Sequence, residues 1–107
     1  MTEAVQDSYA PDSICFGCGP ANEEGLRIKS FREGEGLRMA FQPQAQHQAF
    51  PGVINGGIIG ALLDCHGNWT AATAIMDRLG LEQPLCTVTA QYEVKLRRPT
   101  PFGPALE

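Results

Sequence analysis

A long helical pattern in the middle of the chain constrains the fold most. Apolar residues recur at three- and four-residue steps from Ile58 to Leu79, and Asn55 and Gly80 bracket the run. Asparagine is a preferred N-cap because its side-chain oxygen accepts an N–H of the first turn, and glycine is the usual residue just beyond a helix C-terminus. The pattern predicts one core helix from about Gly56 to Leu79 in a chain of 107 residues.

The predicted helix is rich in glycine. Gly56, Gly57, Gly60 and Gly67 all lie within it, and each weakens a helix by up to ~1 kcal/mol relative to alanine. This density indicates that another backbone or a ligand approaches the helix closely. Glycines that serve only helix packing are the alternative.

Asp64 is the one acidic residue between Glu35 and Asp77, and it follows an apolar stretch of the predicted helix. Desolvation raises the pKa of a carboxyl group in such surroundings, which suits a general base. A backbone N–H near Gly56, at the positive end of the helix dipole, suits an oxyanion. An Asp64 that is simply hydrogen-bonded or faces water is the alternative, and the pattern alone leaves both open.

Three segments of the chain alternate apolar and polar residues. The first two, LRIKSFRE and GLRMAFQP, flank Gly34-Glu35-Gly36 and predict a β-hairpin. The third, Leu85 to Arg97, predicts a long strand covered on one side. Three strands and one helix place the chain in the α+β class, with a twisted sheet around a central helix.

Charge and hydropathy exclude several classes of partner. The 8 basic and 12 acidic residues give a net charge of −4, so we expect neither nucleic acid nor an anionic membrane as a partner. The N-terminus lacks the apolar core of a secretory signal, and the run GGIIGALL is too short to span a bilayer. We expect a cytoplasmic protein in which residues 1–14 are a flexible lead-in and residues 15–107 form one domain.

Cys15 and Cys18 form a C-x-x-C pair, which is half of a structural zinc site. No second such pair follows, and the other candidate ligands are scattered along the sequence: His47, Cys65, His66 and Cys86. We therefore expect a turn with half-buried thiols and no metal. A zinc site and a redox dithiol are the alternatives.

Three stretches in this order, CFGCGPANEEGL, FPGVINGGIIGALLD and VTAQYEVKLRRPTP, resemble the hotdog-fold acyl-CoA thioesterase superfamily, especially its phenylacetate-pathway type. The resemblance spans about residues 15 to 104. It implies a helix wrapped by an antiparallel sheet, a homodimer or dimer of dimers, and acyl-CoA sites at the subunit interface. It implies no cofactor beyond the coenzyme A of the substrate. Because the family's sheet continues after the strand that ends near Arg98, we expect a hotdog fold that lacks its C-terminal strands.

The resemblance assigns roles to individual residues. Gly56 matches the first glycine of the family's HGG motif, whose backbone N–H polarises the thioester carbonyl, and Gly57 matches the second. Asp64 matches the carboxylate that acts as a general base toward water or as a nucleophile. Thr89 falls where some members place a hydroxyl that positions the water. Asn55 stands where the family usually has histidine, so the role of the histidine side chain does not carry over, whereas the backbone donor and the helix start do. We expect Asn55 and Gly57 to bind substrate at this helix start.

Other residues are candidates for substrate binding or catalysis. His47 lies in a loop that could line the acyl pocket, and Arg97 and Arg98 suit the phosphates of coenzyme A. Solvated positions are the alternative for all three. His66 lies roughly 200° around the helix from Asp64, so we expect a core or interface histidine and not a base.

The spacing of Gly56 and Asp64 predicts a shared active site. The two residues are eight positions apart, which is about 12 Å along a helix, so one thioester can hardly contact both. We expect Gly56 of one protomer to act with Asp64 of its partner in an acyl-CoA thioesterase that needs no metal. A non-catalytic hotdog module that binds acyl thioesters or serves in assembly is the alternative.

Overall fold

The computed structural model describes residues 3–107. In chain order it contains α1 (Val5–Tyr9), β1 (Lys29–Glu33), β2 (Gly36–Ala40), a 3-10 turn (Ala45–His47), β3 (Gln48–Phe50), β4 (Val53–Ile54) and α2 (Gly56–Leu79). The strands form two antiparallel pairs, β1 with β2 and β3 with β4. The predicted α+β class, with antiparallel strands and one long helix, is confirmed.

Helix α2 begins and ends where the sequence predicts. The Asn55 side-chain oxygen accepts the Gly57 N–H at 2.7 Å. At the other end Gly80 has φ +67°, and its N–H turns back toward the carbonyl groups of Met76 and Asp77. Glycine adopts this left-handed conformation without a Cβ clash, so both ends of α2 are fixed by local sequence.

The predicted hairpin is present and packs against α2. Strands β1 and β2 pair from Lys29 opposite Ala40 to Glu33 opposite Gly36. A cluster of buried residues lies between the hairpin and the helix, with further side chains packed around it; its buried members are Cys18, Ile28, Phe41 and Leu62. Burial of this cluster holds α2 against the sheet, because apolar burial is the dominant favourable term in folding.

The predicted strand from Leu85 to Arg97 is wrong, because no β pairing forms there within residues 3–107. The segment is extended beside α2 and runs antiparallel to it. Asn68 Nδ2 donates to the Thr87 carbonyl at 3.2 Å, and farther along Tyr92 lies against Gly60. Sequence alternation predicts an extended backbone, whereas a strand also needs a hydrogen-bonded neighbour. Here contacts with the helix take the place of that neighbour.

The N-terminal residues differ from the expected flexible lead-in. Helix α1 docks on β1, with Gln6 fully buried and Asp7 paired with Lys29 at 2.6 Å. Tertiary contacts of this kind stabilise a short helix that its own sequence would not. For Met1 and Thr2 the prediction falls outside the described residues, and the domain boundary at residue 14 stays a prediction.

The last residues of the chain are tied to both sheets. Thr100 accepts the Ile54 N–H at 2.9 Å, and Leu106 exchanges two backbone hydrogen bonds with Phe41 at 2.7 and 2.8 Å. These bonds fix the chain beyond the C-terminal end of the segment that runs beside α2. Among the helices of residues 3–107, none has both the length and the apolar character needed to cross a bilayer.

Candidate functional site

Asp64 and Thr89 line the same cavity, of about 530 Å³, between α2 and the extended segment beside it. Asp64 is half-buried on the helix, and Thr89 is exposed on the facing segment. Gly67 contributes to the helical wall and has no atom within 4 Å of the position that a Cβ would take. The cavity therefore brings a carboxylate and a hydroxyl together beside open space.

Gly56 lines a different cavity, of about 270 Å³, with Leu96, Arg97 and Arg98. In the first turn of α2 the Gly57 N–H is capped by the Asn55 side chain, and the Ile58 N–H donates to the Asn55 carbonyl at 3.0 Å. The Gly56 N–H has no acceptor among residues 3–107. It is a free donor at the positive end of a 24-residue helix.

Arg97 and Arg98 are both exposed at the rim of the Gly56 cavity. Neither guanidinium forms a salt bridge or a side-chain hydrogen bond with another residue in the described part of the chain. Arginine presents a planar fork of donors that matches phosphate oxygens. The pair can therefore receive an anionic group next to the free Gly56 N–H.

His47 is separate from both of these cavities. It lines a third one, of about 610 Å³, with Phe41 and Ile58 among its neighbours. Its Nδ1 atom accepts the Gln44 N–H at 2.9 Å, and its carbonyl accepts the Asn55 N–H at 2.9 Å. His47 therefore stabilises the turn that leads into α2. Asp64 does not line the cavity of His47.

His66 is half-buried on α2 and contacts the core at Ser30. Its Nδ1 atom lies 2.8 Å from the Oγ atom of Ser30, which is fully buried. Burial lowers the pKa of His66, while a weaker interaction with the main chain of Leu37 raises it. The ring joins α2 to the hairpin and does not line the cavity of Asp64.

Two residues near Asp64 in the sequence, Asn68 and Cys65, make contacts that the motifs do not predict. Asn68 follows Asp64 by one helical turn, lines the same cavity and anchors the Thr87 carbonyl. Its i+4 spacing from Asp64 is the signal that could have identified it. Cys65, which the sequence leaves apart from the C-x-x-C pair, lies against Cys15 and Cys18 in the structure.

The three sulfur atoms influence one another. Hydrogen bonding to Cys65 is the main cause that lowers the pKa of Cys18 to about 6, with help from Trp69 and Cys15 and against the effect of burial. The pKa of Cys65 is raised by the same contact and by burial. The pair therefore favours one thiolate, which its neighbours stabilise.

The comparison with solved structures decides the family. A thioesterase superfamily protein from Shewanella loihica PV-4 matches this chain with a TM-score of 0.62 and 34% sequence identity. The match covers 80% of this chain and 68% of that one. This chain belongs to the thioesterase superfamily. No family model matches the sequence, and no curated protein matches it.

Membership of the thioesterase superfamily confirms the hotdog fold, with α2 as its long helix. In this superfamily protein the free Gly56 N–H lies at the start of α2, and the cavity of Asp64 and Thr89 lies two turns along the same helix. The phenylacetate-pathway type, the acyl-CoA substrate and the roles of individual residues stay predictions.

Proposed function

We propose that this thioesterase superfamily protein hydrolyses an acyl-CoA thioester, with a water activated by Asp64 and with the Gly56 N–H as donor to the oxyanion. The observation that supports this most is the cavity shared by Asp64 and Thr89, beside the helix that carries the free Gly56 N–H at its start. The motifs that resemble the phenylacetate-pathway type lead us to propose that subtype.

The proposed reaction follows from the chemistry of these groups. The water oxygen bonds to the carbonyl carbon while Asp64 takes the water proton, and the carbonyl oxygen becomes negatively charged. The Gly56 N–H then donates to that oxygen, an interaction whose loss typically costs ~3 kcal/mol of transition-state stabilisation. When the carbon–sulfur bond breaks, coenzyme A leaves as a thiol with the proton that Asp64 held. The Thr89 hydroxyl holds the attacking water.

The separation of the two cavities supports an active site built across a dimer. Gly56 and Asp64 line different cavities of one chain, and eight residues of helix span about 12 Å. Apolar side chains beside the Asp64 cavity are open to solvent, with Leu63 52% and Val88 82% exposed. We propose that a second copy covers them and places its own Gly56 beside Asp64. We therefore propose a homodimer, alone or paired into a dimer of dimers.

The substrate is proposed to lie with its two ends in different surroundings. The phosphates of coenzyme A meet Arg97 and Arg98 beside the Gly56 cavity, where Asn55 and Gly57 form the adjoining helix start. The acyl group meets apolar side chains of the Asp64 cavity, which include Leu63, Val88 and Tyr92. The reaction itself transfers no electrons, so it needs no redox cofactor.

The test is release of free thiol from a panel of aliphatic and aromatic acyl-CoA esters. Wild type should hydrolyse at least one of them, and Asp64→Ala should lower kcat by about 10²-fold or more, because a general base contributes on that scale. Glu82→Gln is the matched control, since Glu82 is an exposed acid outside these cavities. A folded wild-type dimer that binds acyl-CoA without hydrolysing it would favour the non-catalytic binding module, for which Asn55 in place of histidine is the supporting feature.

A further inference from the structure

The C-x-x-C loop folds onto α2 and gathers three sulfur atoms from distant parts of the sequence. The Sγ atoms of Cys15, Cys18 and Cys65 all lie within 4.8 Å of one another, and those of Cys15 and Cys65 are 4.0 Å apart. All three cysteines are free thiols, as is Cys86. The cluster is separate from the residues proposed for thioester hydrolysis.

The loop is shaped around the Cys65 sulfur. A Cβ at Gly17 would lie 2.3 Å from Cys65 Sγ, and a Cβ at Gly19 would lie 2.3 Å from the Cys15 backbone nitrogen. Glycine at both positions therefore permits an approach that any other residue would prevent. The Gly19 N–H closes the turn by donating to the Cys15 carbonyl at 2.8 Å.

We propose that Cys15, Cys18 and Cys65 bind one zinc ion. Thiolate ligands lie about 2.3 Å from zinc in tetrahedral geometry, which places two sulfur atoms about 3.8 Å apart. The observed separations, all within 4.8 Å, are close to this value, so small side-chain movements complete the three-sulfur set. Soft thiolates select zinc over hard cations such as magnesium.

The cluster is buried at Cys18 and exposed at Cys15, so a metal ion can reach it from solvent. Cys18 is buried, with 7% of its surface exposed, whereas Cys15 is exposed. An ion can therefore enter from the Cys15 side and keep its fourth position for water or another solution ligand. Bound zinc ties the N-terminal loop to α2 at the residue next to Asp64.

The experiment measures zinc binding directly. Reduced protein is stripped with a chelator and then titrated with Zn²⁺ against a chromophoric competitor; we expect one zinc ion per chain. Co²⁺ in place of Zn²⁺ should give the sulfur-to-cobalt charge-transfer bands and the intense visible bands of a tetrahedral thiolate site. Cys15→Ser, at an exposed position that should leave the fold intact, and Cys65→Ser should each weaken zinc binding by at least about tenfold.

Cys86→Ser is the matched control because Cys86 is exposed and lies outside the cluster. It should bind zinc as wild type does. A thiol reagent should modify the two exposed cysteines, Cys15 and Cys86, of the apoprotein readily, but only Cys86 when zinc is bound. Substoichiometric zinc binding, or binding that Cys15→Ser and Cys65→Ser leave unchanged, would overturn the proposal, as would an equal loss in Cys86→Ser. So would a disulfide within the cluster that forms in air while zinc is present.

Discussion

The Oγ atom of Ser30 lies 2.8 Å from Nδ1 of His66 and links the hairpin to α2. Ser30 Oγ also accepts a hydrogen bond from Gln6 Nε2 at 3.1 Å, and the Ser30 N–H donates to Gln6 Oε1 at 2.9 Å. Oγ and Nδ1 form a hydrogen bond whose direction follows the tautomer of the imidazole. One serine thus holds the first helix, the first strand and the long helix together.

Replacing Ser30 with alanine should lower the free energy of unfolding by about 2 kcal/mol or more. The substitution leaves Gln6 Nε2 and His66 Nδ1 without their buried partner, and each unsatisfied group costs about 1–3 kcal/mol. Urea denaturation measures the change. Ser8→Ala is the control, because the Ser8 hydroxyl bonds to Glu3 at the surface and should change stability by less than about 0.5 kcal/mol. Equal effects of the two substitutions would contradict this role for Ser30.

Gly17 and Gly67 should respond to alanine in opposite directions. A Cβ at Gly17 meets Cys65 Sγ at 2.3 Å, so Gly17→Ala should lower the free energy of unfolding by about 1–3 kcal/mol through overpacking. No atom lies within 4 Å of a Cβ at Gly67, inside α2, so Gly67→Ala should raise it by up to ~1 kcal/mol. Thermal and urea unfolding of both variants measure the sign of each change in the free energy of unfolding. An unchanged or raised free energy of unfolding in Gly17→Ala would show that the loop does not approach Cys65 closely, and a lowered one in Gly67→Ala would show that the space beside Gly67 is filled.

Asn55 should stabilise α2 as its N-cap and should not take part in catalysis. Its side chain already accepts the Gly57 N–H at 2.7 Å, so Asn55→Ala should lower the free energy of unfolding by about 1 kcal/mol. Asn55→Ser keeps a capping oxygen and should restore most of that stability, with thioesterase activity close to wild type. Parallel unfolding and thiol-release measurements separate the two properties. A large loss of kcat in a fully stable Asn55→Ser protein would assign the side chain a catalytic role.

Subunit mixing should show that Gly56 and Asp64 act from different protomers. Gly56→Pro removes the N–H at a position where helices tolerate proline, and Asp64→Asn removes the base without changing side-chain size. Each variant alone should be nearly inactive. After random reassortment of a 1:1 mixture, half of the dimers carry one variant of each kind, and each of these has one intact shared site. The mixture should therefore recover about a quarter of wild-type activity.

The arrangement of the two substitutions in one chain provides the control. A Gly56→Pro/Asp64→Asn double variant reassorted with wild type should also give about a quarter of wild-type activity, because each mixed dimer then has two damaged sites. If both groups act within one protomer, the first mixture stays inactive and the second keeps about half. Thiol release from the same acyl-CoA ester measures both mixtures.

Local signals were enough to predict α2, but contacts between distant residues were not. The cap at Asn55 and the left-handed Gly80 act within one turn of helix, so the sequence specifies them directly. The burial of Gln6 depends on Ser30, 24 positions away, and that of Cys18 depends on a loop that folds onto α2. No local pattern records such pairings.

The difference between local signals and distant contacts also explains why the segment beside α2 and the cavity of Asp64 were only partly predicted. Alternation from Leu85 to Arg97 predicts a strand, but the neighbour of this segment is a helix and no strand pairs with it within residues 3–107. The family motif led to Asp64 and Thr89 as separate candidates, and folding places them in one cavity. Asn68 lines the same cavity one helical turn after Asp64, and it lies beyond the end of the motif.

Thr89 should contribute to turnover through its hydroxyl alone. Thr89→Val keeps the shape of the side chain and removes the hydroxyl that we propose holds the attacking water. It should lower kcat by about 10- to 100-fold and leave KM nearly unchanged, since the water is not part of substrate binding. Thr87→Val is the matched control, because Thr87 lines the same cavity two residues earlier and has no proposed role in holding the water. Comparable losses of kcat in both variants would point to altered cavity packing instead of a positioned water.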